Sequence, residues 1–166
     1  SKFQKARDVL LAMNIPTFEM AGFEADDLIG TLAFQSTNNS ELITNKKLSV
    51  INHKIIDEVI IVTGDRDILQ LVNDTVKVYL PVKGLSEGKI FGSDEVVEKM
   101  GVAPSQIPDY KGLVADQSDN YKGVNGIGPK TAIKLIKEYG GFEEIYKNLN
   151  SIQKPIRDKL DADKNN

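Results

Sequence analysis

Four β-branched residues in unbroken succession, Val59-Ile60-Ile61-Val62, constrain the fold more sharply than any other feature of the sequence. Branched side chains suit a pleated backbone, and a run without polar alternation marks a strand covered on both faces, as in the parallel sheets of α/β proteins. The run stops at Thr63-Gly64, and Asp65-Arg66-Asp67 follows at once. Open α/β sheets place ligands just beyond the carboxyl ends of their strands, so two carboxylates there are candidates for chemistry.

Two further acidic clusters stand in the chain, Gly22-Phe23-Glu24-Ala25-Asp26-Asp27 and Asp116-Gln117-Ser118-Asp119-Asn120. Carboxylates packed this closely repel one another unless water, a cation or a helix end compensates them. Ala25, Leu28, Ile29, Leu32 and Ala33 repeat at helical spacing, which predicts a buried helix carrying Glu24, Asp26 and Asp27 on its first turn. Complementing the positive end of the helix dipole would account for these acids as well. Together, Glu24, Asp26, Asp27, Asp65, Asp67, Asp116 and Asp119 form the all-oxygen donor set that a pair of hard cations, Mg²⁺ or Mn²⁺, requires.

The remaining pattern is that of an α/β chain. Residues 3–13 read as an amphipathic helix ended by Asn14, with Phe3, Ala6, Val9, Leu10 and Met13 on its apolar side. Residues 36–54 read as a polar surface insertion of weak helical character, in which the single histidine, His53, faces solvent. A short helix is expected over 68–72, strands over 76–80 and 89–91, and a helix capped by Ser93 and closed by Gly101. Residues 104–115 read as helical, with Pro108 kinking the helix or marking a break between two short turns, and a clear helix starts at Pro129 and closes at Gly140.

The turn before that last helix is Gly123-Val124-Asn125-Gly126-Ile127-Gly128-Pro129-Lys130-Thr131. A Gly-x-Gly at a helix start lets an anion approach unpaired backbone N–H groups, and a phosphate is the natural guest. Lys130, Lys134 and Lys137 could extend the contact along a nucleic-acid backbone. The dinucleotide pattern Gly-x-Gly-x-x-Gly is not met, while a tight helix–turn–helix needing glycine for packing remains open. Charge is divided accordingly: residues 1–120 hold 12 Lys and Arg against 18 Asp and Glu, and residues 121–160 hold 8 against 4. An acidic body with a basic tail suits a metal site beside a phosphate-binding surface.

The length of 166 residues suits one domain, or one with a small appendage. The absence of cysteine excludes disulfides, thiolate zinc sites and cysteine nucleophiles. No apolar run reaches membrane-spanning length and no signal peptide is recognisable, which makes the cytoplasm the default expectation.

The three acidic motifs, with Ile68-Leu69-Gln70-Leu71-Val72 after the second and residues 123–132 after the third, resemble the 5′→3′ exonuclease and flap endonuclease family. That family includes the N-terminal exonuclease domains of bacterial DNA polymerase I and their stand-alone relatives. The resemblance covers residues from about 5 to 160 apart from the insertion, with the motifs in family order. It implies a PIN-like parallel-sheet α/β domain, incomplete at its N-terminus, with a C-terminal helix–three-turn–helix element. Residues 1–100 would be the metal-binding nuclease core, 101–160 the DNA-binding region and 161–166 a polar tail.

The implied activity is two-metal hydrolysis of DNA phosphodiesters in replication and repair, with the seven carboxylates as ligands and catalytic groups. Gly126, Gly128, Lys130, Thr131 and Lys134 would grip the duplex, and backbone carbonyls of Gly123, Val124 and Ile127 would hold a K⁺ ion. The implied partner is DNA with a free 5′ end or 5′ flap, met by a monomer away from membranes. Family members also carry an earlier strand with a metal-binding aspartate and a basic helical arch, so this chain is expected to bind DNA better than it cuts. A DNA-binding module without turnover is the alternative; a small-molecule phosphatase would leave the lysine-bearing turn without a task.

Overall fold

The computed structural model describes residues 2–38, 57–84, 86–116 and 120–164. Asp119, His53 and nearly all of the 36–54 insertion lie outside the described residues. The chain forms two compact units, Ser1–Asp57 and Glu58–Asn166.

The first unit contains helix α1 (Lys2–Ala12) and helix α2 (Ala25–Asn38). Asn14 ends the α1 segment in the left-handed region at φ 55°, a conformation its short polar side chain tolerates. Arg7 reaches Glu19 across the following link at 2.5 Å. The apolar stripes expected from spacing are present but not deeply covered. On α2, Ala33 is buried, Leu28, Ile29 and Leu32 are half-buried, and Ala25 is exposed. On α1, Phe3 is 84% exposed and Val9 56%. Two short helices bury too little area to build a core between them, so helical periodicity here reports local structure rather than depth.

The second unit is built on a mixed sheet in the order β1 (Val59–Val62), β2 (Val76–Lys83), β3 (Glu87–Phe91). β1 and β2 are parallel, with Ile61 opposite Val78, and the crossover through residues 63–75 contains a 3₁₀ turn at Asp67–Leu71. β2 returns antiparallel into β3, pairing Val78 with Phe91. Ile61, Val78 and Phe91 therefore form one row on the core side, where all three are buried. Ile60 and Val62 point the other way and are 48% and 57% exposed. The expectation of a strand covered on both faces is corrected: among the described residues β1 is an edge strand with one covered face.

Helix α3 (Ser93–Met100) starts one residue earlier than expected from a Ser93 cap. Gly92 is the N-cap, and its N–H donates to the Glu95 carboxylate at 2.9 Å. Backbone N–H groups of Glu95 itself and of Gly92 hold the Glu95 carboxyl below its ordinary range. Gly101 closes α3 in the left-handed region, as its position suggested. Pro104–Gln106 is a 3₁₀ turn and α4 (Ile107–Leu113) follows, with Pro108 in its first turn where a missing N–H costs nothing. Three helices complete the unit: α5 (Pro129–Tyr139), α6 (Phe142–Lys147) and α7 (Lys154–Ala162). Their inward residues Ala132, Leu135, Ile136, Ile145 and Leu160 are buried.

Two stability outcomes follow from this burial. Leu69, fully inaccessible in the 3₁₀ turn, should cost about 2–5 kcal/mol in urea unfolding when changed to Ala. Phe3→Ala, at an exposed site, should stay within about 0.5 kcal/mol. Because the Glu95 pKa is lowered in the fold, its stabilisation is present above the ordinary carboxylate pKa and is lost as pH falls through the folded value. Thermal melts from neutral to acid pH should accordingly show a smaller acid loss in Glu95→Gln than in the parent chain.

Candidate metal centre and nucleic-acid interface

The carboxyl end of β1 leads directly into a folded acidic loop. Thr63 still donates its N–H to Tyr79 O at 3.2 Å, after which the chain leaves the sheet. Thr63 Oγ1 accepts from Asp65 N–H at 3.0 Å, and Asp65 Oδ1 accepts from Asp67 N–H at 2.8 Å. These two side-chain turns set the loop and place Asp67 at the head of the 3₁₀ turn. Asp65 stays exposed, whereas Asp67 is half-buried.

Helix α4 contributes the residue that links this loop to the third acidic cluster. The Lys111 ammonium forms an ion pair with Asp67 and reaches Asp116 Oδ2 at 2.8 Å. Two carboxylates far apart in sequence thus gather on one cation. Nothing in the spacing of Lys111 marked it, because its role depends on how α4 packs against the 3₁₀ turn. The three side chains line an open cleft of about 870 Å³ together with Gly64, Asp65 and Tyr110.

An all-oxygen donor set gathered on a positive charge fits a hard divalent cation better than a soft one. Asp67 and Asp116 are the carboxylates that the structure brings together on Lys111, and Asp65 lines the same cleft. Among the described residues no group of three His, Cys, Asp or Glu side chains stands close enough to hold an ion as arranged here.

In the first unit, Asp27 has a structural task. Its Oδ2 accepts from Glu24 N–H at 3.0 Å, closing the start of α2. The helix-end explanation thus accounts for one oxygen of one acid in that cluster. Asp26 lies beside it on the first turn, half-buried, and Glu24 is exposed.

The Gly-rich turn is tied by backbone to the segment that carries Asp116. Asp116 and Tyr121 exchange both N–H···O bonds at 2.8 Å, and Val124 N–H donates to Leu113 O at 3.0 Å. Gly123, at φ 58°, lies so close to the preceding strand of chain that a Cβ would fall 2.5 Å from Ala115 N. Val124 and Ile127 anchor the turn by burial, and Val124 O accepts from Ile127 N–H at 3.0 Å. Gly126, Gly128, Lys130 and Lys134 are exposed, with Thr131 half-buried beside them. Pro129 occupies the first turn of α5 behind the N-cap Gly128, so the positive end of that helix faces outward between the glycines and lysines.

The model of the 5′-3′ exonuclease N-terminal resolvase-like domain matches residues 1–101, and that of the 5′-3′ exonuclease C-terminal SAM fold matches residues 102–166. The chain belongs to the 5′-3′ exonuclease family. DNA polymerase I of Caldicellulosiruptor bescii is 44% identical over 160 residues, which cover 95% of this chain and 17% of that protein. The 5′-3′ exonuclease of Bacillus subtilis is 38% identical over 159 residues, 96% of this chain and 48% of that one. A flap endonuclease of bacteriophage T5, solved in a pseudo-enzyme–product complex with DNA and metal ions, superposes with a TM-score of 0.73 at 23% identity. That match covers 97% of this chain and 53% of the T5 chain. The fold is therefore that of the family, a resolvase-like, PIN-like α/β part followed by a SAM-like helical part, and the chain spans less than half the length of these two curated relatives.

Gly123→Ala should lower stability by about 1–3 kcal/mol, through both the positive φ and the overlap with Ala115, read as a fall in melting temperature. Lys111→Met should leave Asp67 and Asp116 facing each other and lower the melting temperature in dilute buffer. Raising salt should narrow that difference, since screening weakens both the lost attraction and the new repulsion.

Proposed function

We propose that this chain is the metal-binding and DNA-gripping part of a 5′→3′ exonuclease and 5′ flap endonuclease, hydrolysing DNA phosphodiesters with two divalent cations in replication and repair. The observation that carries the reading is the gathering of Asp67 and Asp116 on one positive charge, with Asp116 in a segment whose backbone is bonded to the residues leading into a basic, glycine-rich helix start. A phosphodiester gripped by such a turn would lie within a short reach of oxygen ligands. Family membership supports the reading, as do the DNA and metal ions of the T5 complex.

Asp65, Asp67, Asp116 and Asp119 would hold cations in the second unit, and Glu24, Asp26 and Asp27 would supply the remaining carboxylates, directly or through water. When bound, Mg²⁺ or Mn²⁺ would activate the attacking water and stabilise charge on the phosphate and leaving oxygen. Lys111 would yield the carboxylate oxygens and keep a positive charge beside them. Gly126 and Gly128 would admit the duplex backbone, Lys130 and Lys134 would neutralise its phosphates, and the Thr131 hydroxyl would donate to one of them. Carbonyls of Gly123, Val124 and Ile127 would hold a K⁺ ion at the turn. Residues 1–100 would form the nuclease core, with Asp116 and Asp119 joining its metal-binding role, and 101–160 the DNA-binding region, in a monomer acting in the cytoplasm. No helix among the described residues is long and apolar enough to cross a membrane.

Cleavage of a 5′ flap duplex, with Mg²⁺, with Mn²⁺ and with chelator, tests the proposal. Metal-dependent release of the flap is the expected result, abolished in Asp116→Asn. Millimolar Mg²⁺ or Mn²⁺ should also raise the melting temperature, because ions that bind only the native state stabilise it, and Asp67→Asn should reduce that rise. A chain whose melting ignores both ions and whose flap substrate stays intact would remove the metal reading. Duplex affinity should fall steeply with salt, and a Lys130→Ala, Lys134→Ala double variant should flatten the log–log slope by about one to two.

A further inference from the structure

Helix α7 and the residue that ends it touch the Gly-rich turn with two opposite charges four positions apart. Lys159 Nζ donates to Gly126 O at 2.9 Å, and Asp163 Oδ2 accepts from Asn125 N–H at 2.6 Å. The Lys159 stem lies across the glycine: a Cβ on Gly126 would meet Lys159 Cε and Nζ at 3.1 Å. The helix itself is fixed. Leu160 is fully buried, and Tyr146 donates its hydroxyl to Leu160 O at 3.3 Å. Burial, and after it the Asp163 carboxylate, push the Tyr146 hydroxyl pKa up, which agrees with Asp163 lying against this part of the unit.

We propose that Lys159 and Asp163 are positioning residues for DNA binding: they clamp residues 125 and 126 so that the turn meets the phosphate backbone already in its binding shape. The inference rests on the reading of residues 126–131 as the DNA grip. A turn carrying glycines at 123, 126 and 128 has many accessible conformations, and ordering it only on contact would be subtracted from affinity. The clamp removes that freedom beforehand. Its two charges cancel, so it shapes the turn without adding to the attraction for phosphate. Asn125 N–H, taken by Asp163, is withdrawn from the anion-binding set.

This cancellation separates a clamp from a simple basic patch. Electrostatics alone predicts that Asp163→Ala, which removes a negative charge beside the turn, tightens DNA binding. The clamp predicts that it weakens binding. Equilibrium titrations of the 166-residue chain with a blunt duplex, over a series of salt concentrations, should show Asp163→Ala and Lys159→Met each weaker by about three- to tenfold, the range expected for losing one charge-assisted hydrogen bond at a partly exposed site. The salt slope should be unchanged in both, and Lys159→Arg should recover most of the affinity.

Amide hydrogen exchange at Asn125 should accelerate in Asp163→Ala while the melting temperature moves little, which reads the clamp without DNA. Tighter binding by Asp163→Ala, or unchanged affinity in both variants, would overturn the proposal. So would a slope reduced by about one in Lys159→Met, since Lys159 would then be a phosphate contact itself. If the Lys130→Ala, Lys134→Ala variant keeps the parent slope, the grip lies elsewhere and the clamp falls with it. If that slope drops while the two clamp variants bind normally, only the clamp is wrong.

Discussion

The close backbone approach at Gly123 governs what the second unit can do. Asp116 and Tyr121 close a two-bond bridge, Val124 bonds back to Leu113, and Gly123 packs where a side chain would strike Ala115. The Asp116 segment and the basic turn are consequently one piece of backbone rather than two surfaces brought together by docking. Any relative movement would have to break main-chain hydrogen bonds whose groups would then need new partners. The proposed site, which would hold carboxylates and a phosphate at a set distance, would benefit from such a link, because misplacement by even about 1 Å can cost orders of magnitude in rate.

Positive charge enters the unit in two ways. Lys130 and Lys134 are exposed and mobile-stemmed, suited to long-range attraction that salt readily screens. Lys111 is 27% exposed and held between two carboxylates, where its charge is compensated and contributes little to the field outside. A net charge of −3 conceals this division. Counting lysines along the chain gives the outer kind correctly but cannot tell an ammonium that meets solvent from one that faces acids.

What the sequence made legible was mostly local. The closing glycine of α3, the termini of α5, the interruption near Pro108 and the strands of the sheet all follow from residues whose backbone preferences act within a few positions. Less legible were features that depend on partners distant in sequence. Ser93 looked like a cap, yet Glu95 can reach back to Gly92 and claims that end of the helix. Asp27 looked like a metal ligand and serves at least partly as a cap. The burial of a β-branched run cannot be deduced from its composition, because an edge strand and a central one share the same preferences and differ in their neighbours. Lys111 and Lys159 carried no spacing signal, since each acts on a residue that only tertiary packing brings near.

That edge has a consequence for the behaviour of the chain in solution. β1 presents Ile60 and Val62 outward, and among the described residues only β2 pairs with it, so the backbone groups on its other side are a ready template for a further strand. The segment carries neither proline nor charge to blunt it, although Glu58 at its start is occupied with Lys77 on the neighbouring strand at 2.5 Å. A short, hydrophobic, β-rich stretch of this kind is what nucleates self-association when chains are crowded. A polar residue at position 60 or 62, both outward-facing, would be the substitution least costly to the core.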